Sequence, residues 1–341
     1  MKKSLAILLV LALALGSVFA NGTPEATTAQ PEKKLEEINV AYMPNYASLC
    51  SVVAGMETGA FAEQGLKVNL VQFADGPTII AAMESGSIDV GYIGQGAHKL
   101  CINGRAKIFA MSHVGNGDAV LGLKSHGVTS AKDLKGKKVG YASGTSSESI
   151  LRLTLESAGL TMKDVKAMEM DASGIVSAMT SGSLDACATW SPNTFTIKDV
   201  MKDDAVTLAN NLTFADKSAA ISSWIVMSKY AETNSDKLLR FTKGLYKGMD
   251  YRAANIEQTA KWVAKVLAAD YNTIWNQRGD AEWITSEQLV KEVKDGTIEH
   301  LYEVQKKGFG TAVKQETPVS SYVLFDNMLK AGQLIPSLKE K

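Results

Sequence analysis

The chain has 341 residues, which is enough for two domains of ordinary size. It contains 36 basic and 36 acidic residues, and 45% of its residues are hydrophobic. This balance is typical of a globular protein and excludes a whole-chain basic field that would attract nucleic acid or a membrane surface. We therefore expect no nucleic-acid partner.

The N-terminus has the pattern of a secretory signal peptide over residues 1–20. Lys2 and Lys3 precede a short apolar run, and a small-x-small pattern ends at Ala20, where signal peptidase would cleave. The apolar run is too short for a comfortable membrane span. Residues 21–36, rich in Thr, Pro, Glu and Gln, are predicted to form a disordered leader.

The three cysteines are Cys50, Cys101 and Cys187, and all lie in apolar segments. None stands at the end of the apolar run, where a lipid-modified cysteine is found. Because an exported protein without an anchor stays near its cell only behind an outer membrane, we expect a periplasmic protein that is not a lipoprotein. The wide spacing fits no metal motif and predicts small buried hydrophobes, with one disulfide and a free thiol as the alternative.

Strands and helices alternate from Ile38 onwards. The pattern predicts a strand over 38–42, a helix over 48–64 that ends at Gly65, a strand over 66–73, a helix capped by Asp75 and a strand over 90–93. Alternation with short loops builds a parallel-type sheet flanked by helices.

One stretch occurs twice at a constant offset of 96 residues. Residues 79–94 read IIAAMESGSIDVGYIG, and residues 175–190 read IVSAMTSGSLDACATW. Each copy predicts a short helix, a tight turn and a buried strand. The elements before the second copy repeat those before the first, with strands over 138–141 and 165–170 and a helix over 146–158. We therefore expect two similar lobes with a cleft between them.

Two further strand-like segments, 108–123 and 219–228, bound the second copy and are interpreted as two crossings between the lobes. This interpretation makes lobe I discontinuous, with residues 37–115 and 222–341, and assigns residues 116–221 to lobe II. The predicted helices after the second crossing pack most simply on the outside of lobe I.

Ligands of open parallel sheets bind beyond the carboxyl ends of the strands. Applied to this chain, with the return crossing included, the rule selects thirteen candidate binding residues: Tyr42, Asn45, Tyr46, Gly76, Pro77, Gln95, Gly96, Thr145, Ser146, Ser147, Asp171, Trp190 and Trp224.

Two groups of these candidates have a definite chemistry. The hydroxyls of Thr145, Ser146 and Ser147 lead into a helix, whose free N–H groups and dipole favour an anion. A capping box of Thr145 with Glu148 is the alternative, and both can hold together. The aromatic candidates, Tyr42, Tyr46, Trp190 and Trp224, are predicted to line pocket walls, with core packing as the alternative for each.

Other patterns argue against catalysis. Gly94-Gln95-Gly96 resembles a dinucleotide fingerprint, but Lys99 occupies the third glycine position. The four histidines are scattered, and no nucleophile–base pair or metal-ligand spacing is present. We therefore expect no catalytic residue, no metal and no cofactor. Asp118 and Glu148 are open to two interpretations, as partners of a ligand amine or of protein groups.

Four segments resemble the nitrate/sulfonate/taurine-type solute-binding proteins of ABC importers. They are GAFAEQGL at 59–66, AMESGSIDVG at 82–91, DLKGKKVG at 133–140 and GSLDA at 182–186. The resemblance implies an α/β, two-lobed periplasmic binding protein of type II, which closes on a small solute and presents it to a transmembrane permease. We expect such a protein to act as a monomer and not as an enzyme.

The solute is predicted less directly. The family often has Trp-Asp-Pro where this chain has Trp190-Ser191-Pro192, so the aromatic is kept and the carboxylate is absent. No arginine falls at a predicted strand end, and N–H groups with hydroxyls suit a sulfonate. A small alkanesulfonate such as taurine is the first expectation, and an aromatic N-heterocycle such as a thiamine pyrimidine precursor is the alternative. Related fungal pyrimidine-precursor synthases carry a cysteine-dense iron motif that the isolated cysteines here do not match.

Overall fold

The computed structural model describes residues 34–333. The predicted signal peptide and most of the predicted leader lie outside these residues. The first strand begins at Glu36, one residue before the predicted start of lobe I. Within the described residues, no helix is long and apolar enough to cross a membrane.

The chain up to the first crossing forms the predicted alternation of strands and helices. The elements are β1 Glu36–Tyr42, α1 Tyr46–Glu57, α2 Ala60–Glu63, β2 Leu66–Gln72, α3 Gly76–Glu84, β3 Val90–Ile93, α4 His98–Ile102 and β4 Lys107–Gly115. The helix predicted over 48–64 is divided into α1 and α2 because Gly59, at φ 76°, takes a left-handed conformation between them.

The middle of the chain forms a second set of elements, in which one additional strand precedes the same alternation of strands and helices. They are β5 Asp118–Leu123, β6 Lys138–Tyr141, α5 Ser146–Ser157, β7 Lys166–Glu169, α6 Ala172–Thr180, β8 Ala186–Trp190, α7 Asn193–Met201 and β9 Ala205–Asn210. The repeated unit is present as predicted, since Asp75 and Asp171 cap α3 and α6 by accepting from the backbone N–H groups of Thr78 and Gly174. The sequence pattern did not reveal α7 and β9.

The last part of the chain is mainly helical. Its elements are β10 Ile221–Val226, α8 Ser228–Thr233, α9 Ser235–Ala254, α10 Ile256–Leu267, α11 Tyr271–Asn276, β11 Ala281–Glu282, α12 Ser286–Lys294, α13 Thr297–Gly308 and α14 Phe325–Gly332. Helices α9 and α10 pack on α1, and α14 packs on α9 and β4, so these helices cover the outside of lobe I as expected.

The strands belong to two sheets. The order is β11-β4-β10-β3-β1-β2 in the sheet of lobe I and β7-β6-β8-β5-β9 in the sheet of lobe II. The parallel pairs predicted from the alternation are present, namely β1 with β2 and β3, and β6 with β7 and β8. The crossing strands β4, β5 and β10 add antiparallel pairs, so each sheet is mixed rather than purely parallel.

The chain passes between the sheets at two places. The segment predicted over 108–123 is two strands, because β4 ends at Gly115 and β5 begins at Asp118 in the other sheet. The return runs through residues 211–220 to β10. The three cysteines, Cys50, Cys101 and Cys187, are buried and free, as predicted for small hydrophobic core residues.

Candidate functional site

A cavity of about 80 Å³ lies between the two lobes at the carboxyl ends of the parallel strands. It is larger than the space that a single water requires. Lobe I contributes Met43, Asn45, Ala47, Asp75, Gly76, Tyr92, Gly94, Gln95, Ala97, His113, Gly115, Ser222, Gln277 and Asp280. Residues on lobe II and on the crossings contribute Gly117, Asp118, Thr145, Ser146, Trp190, Ser191 and Ala220.

Asp118 forms a hydrogen bond between the two lobes at the cavity. Its carboxylate accepts from Gln95 Nε2 of lobe I at 3.2 Å, and from Ser146 Oγ and Asn211 Nδ2 at 2.5 and 2.9 Å. Burial raises the pKa of Asp118, and the three hydrogen bonds oppose that rise. Asp118 was predicted to pair either with a ligand amine or with protein groups. In this structure it pairs with protein groups, and it also lines the cavity.

The hydroxyls predicted to bind an anion already donate to the protein. Thr145 Oγ1 donates to the carbonyl of Ala142 at 2.8 Å, and Ser147 Oγ donates to the carbonyl of Ala188 at 2.8 Å. Ser146 Oγ donates to a carboxylate, that of Asp118, at 2.5 Å. In this structure all three protons are donated to protein acceptors, and the hydroxyl-lined anion end stays a prediction.

The start of α5 is also capped by the protein. Thr145 Oγ1 accepts from the N–H of Ser147 at 3.2 Å, and Glu148 Oε2 accepts from the N–H of Gly144 at 2.8 Å. The alternative of a capping arrangement thus describes this segment. Burial alone would raise the pKa of Glu148, but the Gly144 N–H and the cations of Lys99 and Arg152 hold it below its usual value.

The two lobes touch where residues 96–99 of lobe I meet the start of α5 in lobe II. Lys99 Nζ of lobe I lies 3.3 Å from Glu148 Oε2 of lobe II, and both side chains are largely buried. At Gly96 the lobes approach so closely that a Cβ atom would stand 2.0 Å from the carbonyl carbon of Thr145. Glycine is required there because no larger residue fits against that backbone.

Removing the interlobe ion pair should favour the open form. A partly buried pair of this kind contributes about 1 kcal/mol, so Lys99→Met is expected to weaken solute binding by about fivefold, measured by calorimetric titration. The difference should shrink as salt is added, because ions screen the pair. The matched control is Lys163→Met, whose lysine is exposed. Equal affinities of Lys99→Met and the unsubstituted protein would contradict a role for the pair in closure.

Asp280 is an acidic wall residue that the sequence pattern did not reveal. It precedes β11 in lobe I, and its carboxyl group accepts from the hydroxyl of Ser191 on the opposite side of the cleft. Burial raises its pKa to about 7, the hydrogen bond from Ser191 lowers it, and the negative charge of Asp118 raises it further. No periodicity marks this position, because it lies in a turn far along the chain from the strand ends.

Aromatic rings form another part of the wall. Tyr92 and Trp190 line the cavity together with His113, whose ring lies 6.0 Å from that of Tyr92 in a stacked arrangement. Burial, and then the cation of Arg252, lower the pKa of His113 to about 3, so its imidazole is neutral at physiological pH. His113 is buried, and it also lines the cavity.

Six of the thirteen candidate residues lie on the cavity wall: Asn45, Gly76, Gln95, Thr145, Ser146 and Trp190. The other seven do not. Gly96 and Ser147 are used in the interlobe contact and in the hydrogen bond described above. Pro77 follows Gly76 into α3 and is not part of the wall, and Asp171 is an exposed cap of α6.

The structure also corrects the placement of three aromatic candidates. Trp224 is fully buried in the core of lobe I, with its ring 5.7 Å from that of Tyr92. Tyr46 is likewise fully buried and packs edge-on against Trp283, and the Tyr42 hydroxyl donates to Gln72. Core packing therefore describes these three residues, and Trp190 is the aromatic candidate that lies on the wall.

The described residues contain no group of His, Cys, Asp and Glu side chains arranged to hold a metal ion. The wall of the cavity is instead built from carboxyl, hydroxyl, amide and aromatic groups, which can hydrogen-bond and stack against an organic solute.

Comparison with known proteins identifies the family. A family model described as NMT1/THI5 like matches residues 47–259. The chain belongs to this family. A protein of Brucella abortus (strain 2308), provisionally described as a binding protein, is 34% identical over 85% of this chain and 90% of its own length. A Bacillus subtilis (strain 168) protein, provisionally described as binding aliphatic sulfonates, is 26% identical over 85% of this chain and 87% of its own.

One further relative has a different description. A Haemophilus influenzae (strain ATCC 51907 / DSM 11121 / KW20 / Rd) protein, provisionally described as a thiamine biosynthesis protein, is 31% identical over 42% of this chain and 45% of its own length.

The family model and the relative described as binding aliphatic sulfonates confirm, at the level of the family, the predicted resemblance to nitrate-, sulfonate- and taurine-type binding proteins.

Solved structures confirm the two-lobed fold. The alkanesulfonate-binding protein SsuA from Xanthomonas axonopodis pv. citri, bound to MOPS, has a TM-score of 0.65 at 18% identity and covers 84% of this chain and 97% of its own. The nitrate-binding protein NrtA from Synechocystis PCC 6803 has a TM-score of 0.68 at 12% identity over 89% and 90%. The desulfurization enzyme DSZB shares the fold, with a TM-score of 0.62 at 13% identity over 87% and 98%.

Proposed function

We propose that this protein is the solute-binding component of an ABC importer. It captures a small organic solute in the cavity between its lobes and delivers it to a transmembrane permease. The observation that carries this proposal is the cavity itself, whose wall is shared by both lobes and bridged by the hydrogen bond from Gln95 to Asp118. Cavities of this kind open and close by hinge motion between lobes. The chain acts as a monomer in the periplasm after removal of its signal peptide.

The chemistry of the wall favours an aromatic N-heterocycle as the solute. The cavity wall presents the flat rings of Tyr92 and Trp190, on which an aromatic solute can stack. The carboxyl groups of Asp118 and Asp280 can accept hydrogen bonds from its ring or amino N–H groups. The relative described as a thiamine biosynthesis protein agrees with this class. The solute predicted first from the sequence, a small alkanesulfonate, requires donors that the hydroxyls of α5 do not supply.

An alkanesulfonate is the second candidate solute because of the relatives. The protein of Bacillus subtilis, which matches this chain over most of its length, is described as binding aliphatic sulfonates. A zwitterionic sulfonate would place its ammonium group against the carboxylates and leave its sulfonate to the backbone N–H groups. An enzyme on the same fold is the third possibility, which turnover of a bound solute by the purified protein would reveal.

A thermal-shift screen tests the proposal. The panel contains aminopyrimidines, flavin precursors, taurine, other alkanesulfonates and nitrate, each added to the mature chain. A solute present at a hundred times its dissociation constant stabilises the folded protein by about 2.7 kcal/mol, which is an easily measured shift in melting temperature. A binding protein of this class gives at least one such shift without consuming the solute. No shift across the whole panel would contradict the proposal.

The ring of Trp190 should contribute strongly to affinity. It ends β8 and stays partly exposed on the cavity wall, where an aromatic solute can stack on it. Trp190→Ala is expected to weaken binding of the strongest solute of the screen by about 30-fold, since central aromatic contacts contribute about 2 kcal/mol. The control is Trp262→Ala, whose ring stacks on Tyr251 in lobe I. If both variants bind equally well, Trp190 does not contact the solute.

A further inference from the structure

The ionisable side chains on the cavity wall include three carboxyl groups and one neutral imidazole. Asp75, Asp118 and Asp280 line the cavity, and none of the lining residues within 34–333 is a lysine or an arginine. The imidazole of His113 is neutral because burial and Arg252 lower its pKa. The wall therefore presents carboxyl groups and no lysine or arginine side chain to a solute in the cavity.

Two basic residues near the cavity have other partners. Lys99 pairs with Glu148 at 3.3 Å. Arg252 is fully buried in lobe I, where its guanidinium donates to Ser51 Oγ at 3.0 Å and to the carbonyl of Ile284 at 2.5 Å. These cations are therefore held by hydrogen bonds or an ion pair and do not reach the wall.

Two of the acidic groups belong to different lobes. Asp280 stands in the turn before β11 of lobe I, and Asp118 begins β5 of lobe II. The three donors to Asp118 favour its ionised form, whereas a single hydroxyl, that of Ser191, donates to Asp280. Bringing two carboxylates together as the lobes close is unfavourable unless a positive charge enters with them. Solute-driven closure is therefore coupled to the charge of the solute.

We propose that Asp280, acting with Asp118 across the cleft, selects a solute that carries a positively charged nitrogen. This inference rests on the proposed solute-binding function and specifies the class of solute. A protonated amino or ring nitrogen enters between the carboxylates, and the rings of Tyr92 and Trp190 hold its apolar part and add cation–π attraction. With an uncharged solute of the same shape, Asp280 either stays protonated or, when ionised, is repelled by the negative charge of Asp118.

The test uses pairs of solutes that differ in charge and hardly at all in shape. One pair is an aminomethyl-pyrimidine and the corresponding hydroxymethyl-pyrimidine, and the other is taurine and isethionate. Calorimetric titration of the mature chain gives the ratio of affinities within each pair. We expect the amine of at least one pair to bind at least tenfold more tightly than its hydroxyl counterpart. In Asp280→Asn this preference should fall to about twofold or less, while binding of the hydroxyl compound persists.

A control variant and the pH profile separate this role from a structural one. Asp203→Asn, whose carboxylate is exposed, should keep the preference of the unsubstituted protein. For the amine, affinity should increase from pH 6 to pH 8, because Asp280 loses its proton in that range and the bound cation favours the ionised form. Asp118 is the charged group facing Asp280 and Ser191 is its hydrogen-bond donor, so Asp280→Asn should remove the increase.

The outcomes distinguish this inference from the function on which it rests. Binding of hydroxyl compounds or sulfonates with no preference for an amine would overturn the charge selection and leave the solute-binding function intact. The same holds if Asp280→Asn keeps the full preference. If neither pair binds and the wider screen gives no shift, the solute-binding function itself is contradicted, and the inference is overturned with it.

Discussion

Gly96→Ala is expected to weaken solute binding by about 5- to 150-fold while the lobes remain folded. A methyl group at this position would stand 2.0 Å from the carbonyl carbon of Thr145 and 2.5 Å from the nitrogen of Ser146. Both atoms are backbone, so no side-chain rotation relieves the contact. Overpacking of this kind costs about 1–3 kcal/mol, and the cost falls on the closed form alone, in which lobes I and II touch.

The matched control for this experiment is Gly279→Ala. Gly279 is not on the cavity wall, and no atom lies within 4 Å of a Cβ built there. Calorimetric titration with the strongest solute of the screen should give near-normal affinity for Gly279→Ala and a large loss for Gly96→Ala. Without solute, both variants should melt close to the unsubstituted protein, because the open form accommodates either methyl group. Unchanged affinity in Gly96→Ala would show that closure through this contact is not required for binding.

Part of the cavity could be predicted from the sequence because it depends on local rules. Caps and strand ends are local features, and they led to Asn45, Gly76, Gln95 and Trp190, which line the cavity at the carboxyl ends of the strands. The fold followed from the same kind of evidence, since the repeated unit of helix, turn and strand is complete within each copy.

The remainder of the cavity depends on contacts between distant parts of the chain. The hydroxyl of Ser146 is exposed in any local reading of α5, but its acceptor, Asp118, lies 28 residues earlier on a crossing strand. Asp280 reaches the cavity only because β11 pairs with β4 at the edge of the sheet. Neither of these two long-range contacts leaves a pattern in the sequence. The sequence therefore did not reveal that Ser146 donates to Asp118 or that Asp280 lies on the cavity wall.

Trp224 was predicted to line the cavity, and its different position follows from an irregularity in the pairing of β10. In a regular strand, residues two apart share a face, so Ser222 and Trp224 would be equivalent. Strand β10 has a register shift between Ser222 and Ser223 in its pairing with β4, and such a bulge disturbs the alternation. Ser222 lines the cavity, whereas Trp224 enters the core of lobe I. A bulge of this kind is set by the pairing of the strands and cannot be inferred from one strand alone.

Gly248→Ala is expected to lower the free energy of unfolding by about 2 kcal/mol. Gly248 lies in α9 where that helix crosses α1, and a methyl group there would stand 2.0 Å from the carbonyl oxygen of Ser51 and 2.8 Å from the nitrogen of Gly55. Alanine is the better helix former by about 1 kcal/mol, which offsets part of the cost. Because the opposing atoms are backbone, the two helices must separate, and the overpacking cost is expected at the upper end of about 1–3 kcal/mol.

Denaturant unfolding followed by circular dichroism measures this effect, with Gly279→Ala as the control. Gly279 lies in a turn, and no atom stands within 4 Å of a Cβ built there, so its substitution should change the unfolding free energy by less than about 0.5 kcal/mol. Solute affinity at low temperature should be unchanged in Gly248→Ala, because α9 and α1 meet away from the residues of the cavity wall. The combination of lower stability with intact binding would distinguish this contact within lobe I from the contact between the lobes at Gly96, where the reverse is expected. A Gly248→Ala variant as stable as the unsubstituted protein would mean that α1 and α9 have room to move apart at no cost.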